Sequence, residues 1–367
     1  MSAFDFQPRT RLICGPGSVS RIGEVARALE FTRTLLVTDR GLVEAGHARR
    51  AQQALEAAGV VVFPFHDFAG NPDTRMIEVG RKFAAPLKID SIVGLGGGSS
   101  MDCAKGVNFL LTNGGRMQDY WGYGKAARPM LPMIGVPTTT GTGSEAQSYA
   151  LISDAETHVK MACGDPKAAF RTAILDAELA VSQPESVRGP AAYDALSHAV
   201  ETFVSTRRTA LSECFSRESW RLLNGAFESL IAAPSDIDNT GAMLLGAHLA
   251  GLAIESSMLG AAHACANPLT ARYGTVHGAA IGLLLEAVVR WNSAVCAARY
   301  RELHADLPSR LGDLAAAARL GRRLRDAAVP RDHLPSLAAE AARQWTGQFN
   351  PRPFDEKGAL EVYECVY

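Results

Sequence analysis

Along the first half of the chain, short apolar runs closed by turn residues alternate with stretches of helical spacing. "TLLVT" (34–38), "VVVFPF" (60–65), "SIVGLG" (91–96), "MIGVPT" (133–138) and "TAILD" (172–176) read as strands, and "EVARALE" (24–30) and "ARRAQQALEAAG" (48–59) as helices. That alternation predicts a largely parallel sheet covered on both faces. Beyond Pro184 the strand signal disappears, and Ala, Leu, Arg and Glu recur at helical spacing, as in "LGDLAAAARLGRRLRDAA" (311–328). The pattern predicts an α/β domain over residues 1–182 and an all-α domain over 183–367, with functional groups meeting in the cleft between them.

Composition narrows the function classes. The 367 residues are 47% hydrophobic and 20% charged, with a net charge of −1. Such a balance gives no field suited to nucleic acid or an anionic membrane surface. The apolar run from 241 to 266 contains His248, Glu255 and His263, so it reads as a buried helix rather than a membrane span. No basic segment followed by an apolar one opens the chain, and seven scattered cysteines form no C-x-x-C pair. Both features suit a cytoplasmic, reducing setting.

The turn in "VGLGGGSSMDCAKG" (93–106) leaves a strand and opens a helix. Gly97 and Gly98 let backbone approach a ligand, Ser99 offers a hydroxyl, and the helix start favours an anion. Ser99 occupies the last position of G-x-G-x-x-G, so that fingerprint is not met. A second donor-rich turn, "GVPTTTGTGSEA" (135–146), follows another strand. Two such loops suit a pyrophosphate. Asp39 ends a third strand, where a carboxylate could accept from a ribose and repel a 2′-phosphate, favouring NAD over NADP. Asp39 precedes the glycine turn by more than fifty residues, whereas the usual Rossmann acid follows it, so the sheet is not the standard one.

In "YDALSHAVETF" (193–203), Asp194 and His198 share one helical face among Ala195, Leu196, Ala199 and Val200. A buried carboxylate beside an imidazole calls for a cation. "HACANPLTARYGTVHG" (263–278) adds His263 and His277. Unbroken helix would hold those two rings roughly 21 Å apart, so a shared ion requires a break, for which Pro268 is the first candidate, with Gly274 and Gly278 offering further bends. Three nitrogens and one oxygen suit Fe²⁺ or Zn²⁺.

Taken together, "GLGGGSSMDCAKG", "PTTTGTGSEA", "ILDAEL", "DALSHAVE", "HACANPLTARYGTVHG" and "NPRPF" make the chain resemble the iron-containing (group III) alcohol dehydrogenases over nearly its full length. The resemblance implies a dehydroquinate-synthase-like fold and an NAD(H)-dependent interconversion of a small alcohol with its aldehyde or ketone. It implies Asp194, His198, His263 and His277 as metal ligands, with Fe²⁺ as the metal and Zn²⁺ as the alternative. The dinucleotide contacts it implies are Asp39, Asn71, Gly97, Gly98, Ser99, Thr138, Thr139, Thr142, Leu151 and Lys160. A homo-oligomer is also implied. Two positions depart from the family pattern: Asn267 stands where a second histidine is common, and Tyr149 where a smaller or amide side chain is frequent. Both are candidate substrate-side residues. The rival readings are a same-fold polyol dehydrogenase of the glycerol type and a catalytically silent NAD-binding protein.

Overall fold

The five apolar runs become strands of one parallel sheet, whose central members must be buried on both faces. In a computed structural model describing residues 4–367, the strands are β1 (Arg11–Cys14), β2 (Arg33–Thr38), β3 (Val61–Phe65), β4 (Ser91–Gly96), β5 (Gly122–Tyr123), β6 (Met133–Pro137), β7 (Tyr149–Ser153), β8 (Lys160–Gly164) and β9 (Thr172–Leu175). Six form an all-parallel sheet in the order β1-β9-β6-β4-β2-β3. Every residue of β4, β6 and β9 is buried, whereas the edge strands β1 and β3 are largely open. A second sheet, β5-β8-β7, pairs β7 antiparallel with β8 and sets Leu151 opposite Ala162.

The helices of this part are α1 (Ile22–Ala28), α2 (Arg40–Glu44), α3 (His47–Ala57), α4 (Thr74–Ala84), α5 (Gly98–Asn113) and α6 (Ala177–Ala180). Those that follow are α7 (Glu185–Val204), α8 (Ala210–Ala232), α9 (Ile237–Ser257), α10 (Ala261–Tyr273), α11 (His277–Leu303), α12 (Leu307–Ala317), α13 (Leu334–Ala341) and α14 (Glu356–Cys365). The expected fold class, α/β followed by all-α, holds. By contacts the chain divides into one unit of residues 7–139 and 143–183, and another of residues 4–6, Thr140–Thr142 and Pro184–Tyr367. Each unit has its own core: Leu35, Ile92, Met133 and their neighbours in the first, Leu196, Phe203, Phe227 and Leu284 in the second.

Two expectations are corrected. Pro268 does not end its helix: α10 runs through it to Tyr273, and the break falls at Gly274, whose φ is 65°. An internal proline costs about 3 kcal/mol, which the complete burial of Ala261, Ala262, Ala264, Cys265, Ala266 and Leu269 offsets. The helical pattern of 311–328 is also cut: α12 stops at Ala317, Arg319 takes a φ of 54°, and Leu324–Ala327 is a 3₁₀ turn. The apolar run 241–266 spans most of α9 and the start of α10, which are bent 103° from each other. Among the described residues α11 is the one single helix long and apolar enough to cross a membrane, and 61% of its apolar window is buried in the fold.

Candidate functional site

α7 is enclosed on every side over its later turns. Its residues from Ala192 to Val204 are all buried, so the polar positions 194, 198 and 201, each a turn apart, face protein rather than water. α10 brings His263 to this face, and α11 brings its first residue, His277. Gly278 makes the second approach close. A Cβ there would lie 2.1 Å from the carbonyl oxygen of Pro190 on α7, so only glycine lets the first turn of α11 abut α7.

Of the four expected ligands, Asp194, His263 and His277 offer atoms all within 4.8 Å of one another, and His198 adjoins the first two. Asp194 Oδ1 lies 3.6 Å from Nε2 of His198, of His263 and of His277. The His198 and His263 Nε2 atoms are 3.2 Å apart, and the His263 and His277 ring centroids 5.2 Å. Asp194, His198 and His263 are at most 5% exposed. Oδ1 of Asp194 is buried and accepts no hydrogen bond, since 3.6 Å is beyond bonding range. A buried anionic oxygen ringed by nitrogens at that spacing wants a cation. Ligand bonds of about 2.1 Å put neighbouring donor atoms roughly 3.0–3.5 Å apart, close to the spacing found here. The donor set fits a divalent metal.

Charge within the cluster agrees. Burial alone would raise the Asp194 carboxyl, but the imidazoles of His198 and His277 and the contact with His263 hold it well below the usual range. Burial pulls His198 down to about 4, which leaves it neutral with a lone pair to offer. Burial also acts downward on His263, yet the Glu201 charge and the nearby Asp194 carboxylate push it up to about 9. A metal arriving at this ring must displace a proton. Glu201, three residues after His198, was not singled out in the sequence; its Oε2 lies 2.5 Å from His263 Nδ1.

The dinucleotide candidates gather at one end of the parallel sheet. Asp39, Gly97 and Thr138 directly follow β2, β4 and β6, adjacent strands whose carboxyl ends point the same way. Gly97 is the N-cap of α5 with no side chain to cap it. A Cβ at Gly97 would meet Thr139 Cγ2 at 3.1 Å, so the two donor-rich turns lie against each other. The Thr138 N–H donates to the Gly96 carbonyl at 3.0 Å. Asn71, with a φ of 54°, donates its N–H to Ser99 Oγ at 3.2 Å, which brings it to the same helix start. Asp39 uses Oδ1 to cap α2 through the Leu42 N–H at 3.1 Å.

Leu151 and Lys160 stand on β7 and β8, two of the strands that sequence reasoning missed. Both reach α5: Leu151 bonds Asp102 through its backbone, and Lys160 acts on the Asp102 charge. Thr142 belongs to the short segment that groups with the helical unit. Tyr149 packs its ring 5.5 Å from that of Tyr123. Asn267 is half-buried inside α10, one turn beyond His263, and donates to Gln344 Oε1 at 3.1 Å.

The sequence profile of iron-containing alcohol dehydrogenases matches residues 8–177, and that of the C-terminal region of the Fe-containing alcohol dehydrogenase family matches 191–367. Alcohol dehydrogenase 4 of Schizosaccharomyces pombe is 32% identical over 301 residues, 82% of this chain and 69% of that one. The NAD-dependent methanol dehydrogenase of Bacillus methanolicus is 30% identical over 306 residues, 83% of this chain and 80% of that one. A crystal structure of a 1,3-propanediol oxidoreductase superposes with a TM-score of 0.96 at 26% identity, covering 100% of both chains. With both of its parts matched and its buried Asp–His cluster assembled, the chain belongs to the iron-containing alcohol dehydrogenase family.

Proposed function

We propose that this dehydrogenase interconverts a small primary or secondary alcohol with its aldehyde or ketone, using NAD(H) and a divalent metal held by Asp194, His198, His263 and His277. The observation that carries the metal assignment is the single buried oxygen of Asp194 lying 3.6 Å from three imidazole nitrogens. When bound, Fe²⁺, or Zn²⁺ as the alternative, supplies Lewis acidity toward the substrate oxygen, while NAD(H) carries the hydride. The chain's own contribution is charge, shape and dryness. One carboxylate and three imidazoles bring one formal negative charge, so a dication's charge is only half offset. Burial of three of the four side chains keeps water from competing for that charge.

On the nucleotide side, the start of α5 and the turns at Gly97–Ser99 and Thr138–Thr139 suit a pyrophosphate, with Thr142, Leu151, Lys160 and Asn71 as further contacts. Asp39, at the end of the neighbouring β2, suits a ribose hydroxyl and disfavours a 2′-phosphate. The NAD-dependent relative supports that preference. Tyr149 and Asn267 are assigned to the substrate side, the first by bulk and the second as an amide that orients a polar group without titrating. The seven cysteines are all unpaired, which suits a reducing cytoplasm, and the chain is proposed to act as a homo-oligomer.

The test is a screen of alcohols and aldehydes, diols included, with NAD(H) on protein reconstituted anaerobically with Fe²⁺ and separately with Zn²⁺. Metal-dependent change in NADH absorbance with a small alcohol or carbonyl supports the assignment. Undiminished turnover in metal-stripped protein overturns the role given to the four ligands.

A further inference from the structure

The helix that delivers His263 has no cap of its own. Its N-cap residue is Gly260, and the first amides of α10 are satisfied from far along the chain. The Ala261 N–H donates to Asn350 Oδ1 at 3.2 Å, and the Ala262 N–H to Glu201 Oε1 at 2.7 Å. The other oxygen of the same carboxylate, Oε2, meets His263 Nδ1 at 2.5 Å. Asn350 is locked in turn by Asn292: its Nδ2 donates to Asn292 Oδ1 at 2.7 Å, and Asn292 Nδ2 donates back to Asn350 Oδ1 at 3.0 Å. Glu201, Asn350 and Asn292 are all at most 5% exposed.

We propose that Glu201 is a positioning residue for the metal, fixing the ring and tautomer of His263 with one oxygen while the other pins the start of the helix that carries it. The inference rests on the reading of His263 as a ligand. An ionised carboxylate only accepts, so the proton at the Glu201 contact belongs to Nδ1, and Nε2 is left to face Asp194 and His198. The two donors, Ala262 N–H and His263 Nδ1–H, meet two acceptor oxygens on one rigid plane. Glutamine cannot replace this. It has one acceptor and one donor, so it either loses the helix amide or turns its NH₂ toward Nδ1, which moves the imidazole proton to Nε2 and blocks the ligand position. Carboxylate–histidine contacts of this kind are worth roughly 10–100-fold in metal affinity.

The test measures Zn²⁺ affinity by chelator competition in the full chain, with thermal stability of the metal-free protein alongside. Glu201→Gln should weaken Zn²⁺ roughly 10–100-fold. Tyr363→Phe is the structural control: it removes the bond from Tyr363 to the Cys265 carbonyl in the same helix, at 2.7 Å, without touching His263. It should lower the melting temperature and leave affinity within about twofold, as expected for a site it does not contact. Nitrogen-15 histidine spectra of the Zn²⁺-loaded parent chain give a reading that needs no variant: His263 should carry its proton on Nδ1 and bind through Nε2. Metal on Nδ1, or Glu201→Gln with parental affinity, overturns the role of Glu201. A parent chain that takes up no stoichiometric metal overturns instead the reading of the ligand set.

Discussion

Removing the Lys105 ammonium should destabilise the nucleotide-side unit more than any surface change, and the structure says by how much. Lys105 is fully buried on α5, where its Nζ donates to the Ser144 carbonyl at 2.7 Å, Ser144 Oγ at 3.0 Å and the Tyr149 carbonyl at 2.7 Å. Ser144 Oγ passes the contact on to Asp102 Oδ1 at 2.9 Å. Burial pushes the Asp102 carboxyl up, and Lys105 is the first of the charges that pull it back. Lys105→Met takes a donor from two carbonyls and the Ser144 hydroxyl and leaves buried Asp102 without a neighbouring positive charge, a loss of about 3–5 kcal/mol for an uncompensated buried charge. At roughly 2–4 °C per kcal/mol for a unit of this size, the melting temperature should fall by about 6–20 °C.

The sign of the pH dependence follows. Without Lys105, folded Asp102 titrates further above its unfolded value of about 3.9, so the folded state holds a proton that the unfolded chain releases. That contribution is present at low pH and fades as pH rises through the folded value, so the deficit should be smaller at about pH 5 than at about pH 8. Calorimetry at both pH values, with Lys105→Met/Asp102→Leu as the paired variant, checks it. Because Ser144 anchors the turn that begins at Thr138, NADH fluorescence titration should also show binding roughly tenfold weaker, about 1.4 kcal/mol. The reasoning is refuted if the single variant stays within about 1 kcal/mol of the parent and the double variant is no more stable than the single one.

Three further outcomes are expected. His277→Ala and Asp194→Ala should each lose bound metal, read by elemental analysis, and nearly all turnover, while NADH titration stays near parental, because the ligands and the glycine turn belong to different units. Asp39→Gly should narrow the preference for NAD over NADP in kcat/KM, since like charge in a partly desolvated site can cost several kcal/mol; equal kcat/KM in the parent would sink the assignment of Asp39. Asn267→His should add a titrating step near pH ~6.5 to the profile of kcat, and an unchanged profile would remove Asn267 from the substrate side.

The strands that could be read from the sequence are continuous apolar runs, buried along their whole length in β4, β6 and β9 and kept legible in the more open β3 by its composition alone. β4 and β6 are continuous apolar runs with a clear stop, and the turns at their carboxyl ends could be named as candidate ligand-binding turns from the sequence. β7 escaped because it alternates buried and half-buried positions just after a donor-rich stretch, and β1 because only Ile13 of its four residues is buried. Asp194 and His198 could be paired by helical spacing alone. Lys105 could not be told from a surface lysine, since nothing local shows that the chain around Ser144 and Tyr149 folds back over it.

Pro268 and Gly278 show where local rules stop. Proline is a strong local signal, yet its cost of about 3 kcal/mol is smaller than the gain from burying the apolar residues of α10 around it. The helix therefore continues, and His263 is aimed from an unbroken segment fastened at its start by Glu201 and Asn350. What brings His277 back is the turn at Gly274 and then the missing side chain at Gly278, which allows α11 to touch Pro190. A glycine next to a histidine carries no chemistry of its own. Its meaning lies in the backbone on the other side of the contact, some ninety residues earlier in the chain, and spacing along the sequence does not report that neighbour. The proposed metal ligands could be named from their chemistry, whereas the residues that aim them depend on partners that only the folded chain brings near.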